Sequence, residues 1–126
     1  MENMKYLVVD DEKLILNDEV RMLENILGDD SEILTADNTD DAIRLAREEQ
    51  PYVAFLDVNM PGMDGFELSE VIASKSPKTN IVIVTGHGEQ YGHEASVNQN
   101  VSSILLKPVT KLELQDAMLR LKNPRI

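Results

Sequence analysis

Leu7-Val8-Val9-Asp10-Asp11-Glu12 runs an apolar stretch directly into three consecutive acids. A leucine and two valines in a row suit a buried strand. Carboxylates at the end of such a strand are costly unless something compensates their charge. Two compensations are open: the acids face the positive end of a helix dipole at a helix start, or they hold a divalent cation. The remainder of the chain decides between them.

Outward from that stretch, short apolar runs alternate with segments of helical period. Residues 6–9 read as a strand, and 13–27 as a helix carrying Leu14, Leu16, Val20, Leu23, Ile26 and Leu27, stopped by Gly28. A second strand spans 32–36. Asn38 or Thr39 caps a helix with Ala42, Ile43, Leu45 and Ala46, ended by Pro51. Residues 53–56 are a third, almost wholly apolar strand. The turn Met60-Pro61-Gly62-Met63-Asp64-Gly65 then leads into a helix with Phe66, Leu68, Val71 and Ile72. Asp64-Gly65 reads as a helix start whose glycine supplies a positive φ. Residues 81–84 and 104–106 are the fourth and fifth strands. The segment 89–99 is the weakest helical pattern, interrupted by Gly92, and Leu112, Leu114, Ala117, Met118 and Leu121 mark a closing helix.

Strict alternation of strand and helix implies a parallel sheet covered on both faces, and near-continuous apolar strands agree with that burial. The expected architecture is a doubly wound α/β domain, a (βα)5 flavodoxin-like fold with strand order 2-1-3-4-5, occupying 1–126 as a single unit. With 126 residues, 42% hydrophobic and 28% charged, the chain can bury a core without staples. It has no cysteine, which excludes disulfides, thiolate metal sites and a cysteine nucleophile. A formal charge of −11 disfavours binding to nucleic acid or anionic membrane surfaces. No apolar run approaches a membrane span, so a cytoplasmic location is the expectation.

On such sheets ligands bind at the carboxyl ends of the strands, where the order reverses. The first strand ends at Asp10-Asp11, the third at Asp57, the fourth at Thr85-Gly86 and the fifth at Lys107-Pro108. Three carboxylates, a hydroxyl and an ammonium therefore converge on one edge. Carboxylates so placed call for a cation, and an all-oxygen site with room for phosphate suits Mg²⁺. An aspartate can itself attack phosphorus. The residues thus point to metal-assisted phosphoryl transfer onto a side chain.

The combination of Val8-Val9-Asp10-Asp11-Glu12, the loop from Leu56-Asp57 to Asp64-Gly65, Val84-Thr85-Gly86-His87-Gly88 and Leu106-Lys107-Pro108 resembles the receiver domain of two-component response regulators, of the chemotaxis-regulator-like superfamily. The resemblance covers essentially the whole chain. It implies that Asp57 accepts a phosphoryl group from a sensor histidine kinase or a histidine phosphotransfer protein. Asp10 or Asp11, or both, would hold Mg²⁺ with Asp57 and the backbone carbonyl of Asn59, and Mn²⁺ could substitute. Thr85 and Lys107 would meet the phosphoryl oxygens, Gly86 would let the phosphate approach the backbone, and the Lys107-Pro108 bond is often cis. The phosphorylated surface would control an output domain or a downstream protein, with a phosphorylation-dependent dimer compatible with this reading. No turnover of an external substrate is implied.

Taken singly, each element has a plainer explanation: turn and cap acids at Asp10, Asp11 and Asp57, a strand-forming Thr85, a solvated Lys107. His87 and His93 read as solvent-facing, although His87 follows the threonine by two residues, a position that tunes phosphoryl lifetime in this family. An EF-hand at Asp57-Val58-Asn59 fails, because Pro61 and Leu68 stand where that loop needs oxygen ligands. Two departures from the family pattern stand out: Ile104 replaces an aromatic whose rotation is coupled to the threonine, and Val109 replaces a phenylalanine. Ile104 motivates a competing reading, a docking module that works without phosphorylation. A phosphatase acting in trans ranks below it, since a second aspartate is missing two residues after Asp57.

Overall fold

The computed structural model describes residues 4–86 and 99–122. Five strands, β1 (Met4–Val9), β2 (Ser31–Ala36), β3 (Val53–Asp57), β4 (Asn80–Thr85) and β5 (Val101–Leu106), form one parallel sheet in the order β2-β1-β3-β4-β5. Among the described residues the helices are α1 (Lys13–Leu27), α2 (Thr39–Glu49), α3 (Gly65–Lys75) and α4 (Lys111–Leu119). The strand order is the one expected from the sequence. The helix expected over 89–99, together with His87 and His93, lies outside the described residues.

Alternation along each strand sends side chains to opposite faces and builds two cores. Leu7, Val9, Ala54, Leu56, Ile81 and Ile83 pack against Ala42 and Ala46 of α2 and Leu68 and Ile72 of α3. Tyr6, Val8, Val53, Phe55, Val82 and Val84 pack against Leu16 and Leu23 of α1 and Leu114 and Ala117 of α4. β3 is buried along its whole length, as a central strand with both faces covered must be. Each fully buried Leu, Ile or Phe is worth about 1.5–3 kcal/mol, so this sandwich fixes the edge where the polar residues collect.

The helix starts are capped by local chemistry. The side chain of Asn38 accepts the N–H of Asp41, and that of Asp64 accepts the N–H of Glu67 at 2.9 Å. Thr110 and Glu113 form a reciprocal capping box. Gly28 closes α1 at φ 78°, while α2 runs to Glu49 and is capped by Gln50, just before Pro51, at φ 47°. The amide of Gln50 ties that turn to the end of α3 by donating to the Lys75 carbonyl at 3.0 Å and accepting from Ser76 Oγ at 3.1 Å.

Strands extend one to three residues beyond the apolar runs. β5 is the largest case: it begins at Val101, with polar Ser102 and Ser103 inside it. The register passes from Ile81 opposite Val101 to Val82 opposite Ser103, a bulge at Ser102. The extra residue lets Val101 and Ile104 face the same core even though they are three apart.

Gly65 corrects an expectation from the sequence. Positive φ is found at Gly62 (90°), not at Gly65. Gly65 is instead required by close approach: a Cβ there would lie 2.8 Å from the Asp57 carbonyl oxygen and 2.8 Å from Val58 Cα. Its N–H donates to the Val58 carbonyl at 3.0 Å, pinning the first turn of α3 to the chain just after β3.

Candidate functional site

β1 and β3 are hydrogen-bonded neighbours, so their carboxyl ends deliver Asp10 and Asp57 side by side. Both are buried, at 0% and 2% exposure. Lys107 leaves the end of β5 at a cis peptide bond to Pro108, with its N–H held by the Thr85 carbonyl at 2.8 Å. Its Nζ donates to Asp57 Oδ1 at 3.0 Å and to Asp10 Oδ2 at 3.2 Å. One ammonium thus bridges residues 50 and 97 positions away in the chain.

Backbone amides add to both acids, at the second oxygen of Asp10 and at the same oxygen of Asp57 that holds Lys107. Asp10 Oδ1 accepts the N–H of Glu12 at 2.9 Å, and Asp57 Oδ1 accepts the N–H of Asn59 at 3.3 Å. The question posed by the three consecutive acids therefore has a divided answer. Glu12 sits at the N-cap of α1 without a side-chain cap bond. Asp10 reaches forward to that helix start with one oxygen and across the sheet to the ammonium with the other.

Burial raises the pKa of Asp57 and Asp10 adds to the rise, against the hydrogen bond and charge of Lys107 and the Asn59 N–H. Burial works against the charge of Lys107, but the hydrogen bonds and charges of Asp57 and Asp10 prevail and hold its pKa above the ordinary lysine value. The pair is an ammonium shared by two desolvated carboxylates.

Asp11 and Glu12 are exposed, and carboxylate oxygens of Asp10, Asp11 and Glu12 lie within 4.8 Å of one another. This donor set is all oxygen, partly buried and partly open to water, and fits a hard divalent cation such as Mg²⁺. Thr85 ends β4 fully buried, opposite Leu106. Asn59 is exposed in the loop beyond Asp57. Gly86 is exposed with open space where a Cβ would stand, which leaves room above the strand ends. Ile104 is half-buried against the core shared with α2 and α3.

The opening run already groups Glu12 with Asp10 and Asp11 as acids able to hold a cation, and the three carboxylates do lie together. One further residue near the site is not singled out by the sequence. Glu19 on α1 is buried at 6% exposure and senses the charges of Asp10, Lys107 and Asp57. The available signal was an acid in the stripe Leu16, Glu19, Leu23, where helical spacing calls for an apolar residue.

A five-stranded doubly wound domain with buried aspartates at the ends of its first and third strands, and a lysine from its fifth, belongs to the flavodoxin-like signalling class. The family model described as the response regulator receiver domain matches residues 6–119, and the chain belongs to that family. It is 34% identical over 111 residues to the uncharacterized transcriptional regulatory protein YesN of Bacillus subtilis, covering 87% of this chain and 30% of that protein. It is 30% identical over 118 residues to the probable transcriptional regulatory protein NarL of Mycobacterium tuberculosis, covering 94% of this chain and 54% of that one. The chain thus spans from just under a third to just over half of the length of these relatives. Among solved structures, the receiver domain of AraT, a response regulator from Geobacillus stearothermophilus, superposes with a TM-score of 0.81 at 30% identity, covering 94% and 92% of the two chains. No described helix is long and apolar enough to cross a membrane.

Proposed function

We propose that this receiver domain takes a phosphoryl group on Asp57 from a phosphohistidine donor, on a sensor kinase or a phosphotransfer protein, in a Mg²⁺-dependent reaction. The observation that carries the reading is the Lys107 ammonium held between Asp10 and Asp57. Asp57 Oδ attacks phosphorus, the bond from phosphorus to the donor imidazole breaks, and the imidazole nitrogen keeps the electron pair. Bound Mg²⁺ would neutralise charge on the transferring oxygens. Asp10, Asp11, Asp57 and the Asn59 carbonyl are the residues that would hold it.

This chain's own groups supply the rest. Lys107, already charged and aimed at Asp57, follows the phosphoryl oxygens as a point charge. Thr85, at the end of the adjacent strand, provides a hydroxyl to the same group. The negative charge added at Asp57 then changes the balance among Asp10, Lys107 and Thr85, which is how a local modification alters a surface. The domain serves a longer regulator's output or a separate partner in the cytoplasm, and modifies itself rather than turning over an external substrate.

Intact mass after incubation with acetyl phosphate and Mg²⁺ tests the reading. One added phosphoryl group, absent with Asp57→Asn and absent after chelation, is the expected result. An unchanged mass with both acetyl phosphate and a phosphorylated donor would favour the docking module motivated by Ile104.

A further inference from the structure

Glu19 is a buried carboxyl on the apolar stripe of α1, between Leu16 and Leu23. Among the described residues it makes no hydrogen bond or close ion pair. It borders a groove of about 350 Å³ walled by Met22, Pro108 and Val109, with Asp18 at the rim and Lys107 along the same groove. Burial pushes its pKa up to about 8; Asp10 adds to the rise, Lys107 opposes it, and Asp57 adds to it. At neutral pH it is a protonated acid, whose carbonyl oxygen remains an acceptor. An apolar residue would cost less there, so the fold carries a destabilising group one groove away from the site's cation.

Lys107 occupies oxygens of Asp10 and Asp57, the two buried carboxylates that Mg²⁺ would also need. An ammonium and a divalent cation drawn to the same two carboxylates repel each other, so the lysine is pushed off at least one of them. The charged groups facing Glu19 are Asp10 from β1, Asp57 from β3, Lys107 from the turn after β5, and Asp18 from its own helix. Of these, only Lys107 carries donors. We propose that Glu19 is a positioning residue for Lys107, giving its ammonium a second acceptor on the groove side when Asp10 and Asp57 turn to Mg²⁺. The inference rests on the metal reading above and adds to it a residue that touches neither metal nor phosphate.

Mg²⁺ titration followed by backbone amide shifts, without any phosphoryl donor, tests it. Glu19→Leu weakens Mg²⁺ binding by roughly tenfold, as loss of an outer partner does at metal sites, while its melting temperature stays at or above that of the wild type. Glu19→Gln, whose amide oxygen also accepts, binds within about twofold of the wild type by the same argument. In a Lys107→Ala background the Glu19→Leu change has no effect on Mg²⁺ affinity, an outcome a merely structural role would not produce. Glu19→Met serves as the second apolar variant should leucine disturb folding. Equal Mg²⁺ affinity in wild type and both apolar variants overturns the proposal, as does an undiminished loss without Lys107. A wild type that binds no Mg²⁺ removes the metal reading itself, and the proposal with it.

Discussion

Replacing Gly65 by alanine perturbs the site through backbone alone. The added Cβ would stand 2.8 Å from the Asp57 carbonyl oxygen, 2.8 Å from Val58 Cα and 3.1 Å from the Asp57 carbonyl carbon. All three are main-chain atoms, so no side chain can rotate away, and α3 or the chain after β3 has to move by several tenths of an ångström. Overpacking of this kind costs about 1–3 kcal/mol. Alanine's helix propensity returns at most about 1 kcal/mol, and less at the first helical position. The net expectation is a loss of about 1–2 kcal/mol, or roughly 4–8 °C in melting temperature for a domain of this size. The same shift carries Asp57 away from Lys107 Nζ, now 3.0 Å distant, and phosphorylation by acetyl phosphate slows by about tenfold or more, since small misplacements of reacting groups are expensive. Gly86→Ala is the control, because its Cβ would meet nothing within 4 Å, and its melting temperature stays that of the wild type. Thermal denaturation and the rate of mass gain decide the matter. A Gly65→Ala protein as stable and as reactive as the wild type would refute the claim that α3 is seated directly on the Asp57 backbone.

Glu19 gives stability a pH dependence of definite sign. Its folded pKa of about 8 lies above the ordinary glutamate value of 4.5, so between those two pH values the folded state keeps a proton that the unfolded chain has released. The contribution is whole below about pH 4.5 and is lost as pH rises toward 8. Full coupling would remove about 1.4 kcal/mol for each pH unit crossed, and relaxation of the groove brings the whole loss to the order of 2–4 kcal/mol. Denaturant titrations from pH 5 to 8.5 should show that decline, and Glu19→Gln should flatten most of it. Ser103 Oγ is buried with no partner among the described residues; Ser103→Ala is expected to raise the stability measured in urea by about 1 kcal/mol, and a fall would mean the hydroxyl is satisfied. Thr110→Ala removes the capping box at the start of α4 and should cost about 1 kcal/mol in the same assay.

Most of the fold is written in local patterns. Apolar runs at 6–9, 53–56 and 81–84 lie within longer strands: polar Asp57, Asn80 and Thr85 extend β3 and β4, and Lys5 separates Met4 from the run in β1. The start of β5 is less legible, because Ser102 and Ser103 interrupt hydrophobicity and the bulge is a property of pairing with β4, not of the strand itself. The convergence of Asp10, Asp57, Thr85 and Lys107 follows from strand ends once the strand order is known. The bridging geometry of Lys107 adds what sequence cannot, namely that one ammonium serves both acids. Gly65 was legible as special but for the wrong reason: its constraint is a contact with another backbone segment rather than its own dihedral angle. Glu19 is invisible to motif reading because its significance depends on what α1 packs against.

The central claim is that Asp57, among several acids at one edge, is the phosphoryl acceptor. Borohydride reduction of the phosphorylated protein, followed by peptide mapping, converts the aspartyl phosphate into homoserine at the modified position. The account predicts homoserine at position 57, with Asp10 and Asp11 recovered as aspartate. Homoserine at position 10 or 11, or phosphorylation that survives Asp57→Asn, would contradict it.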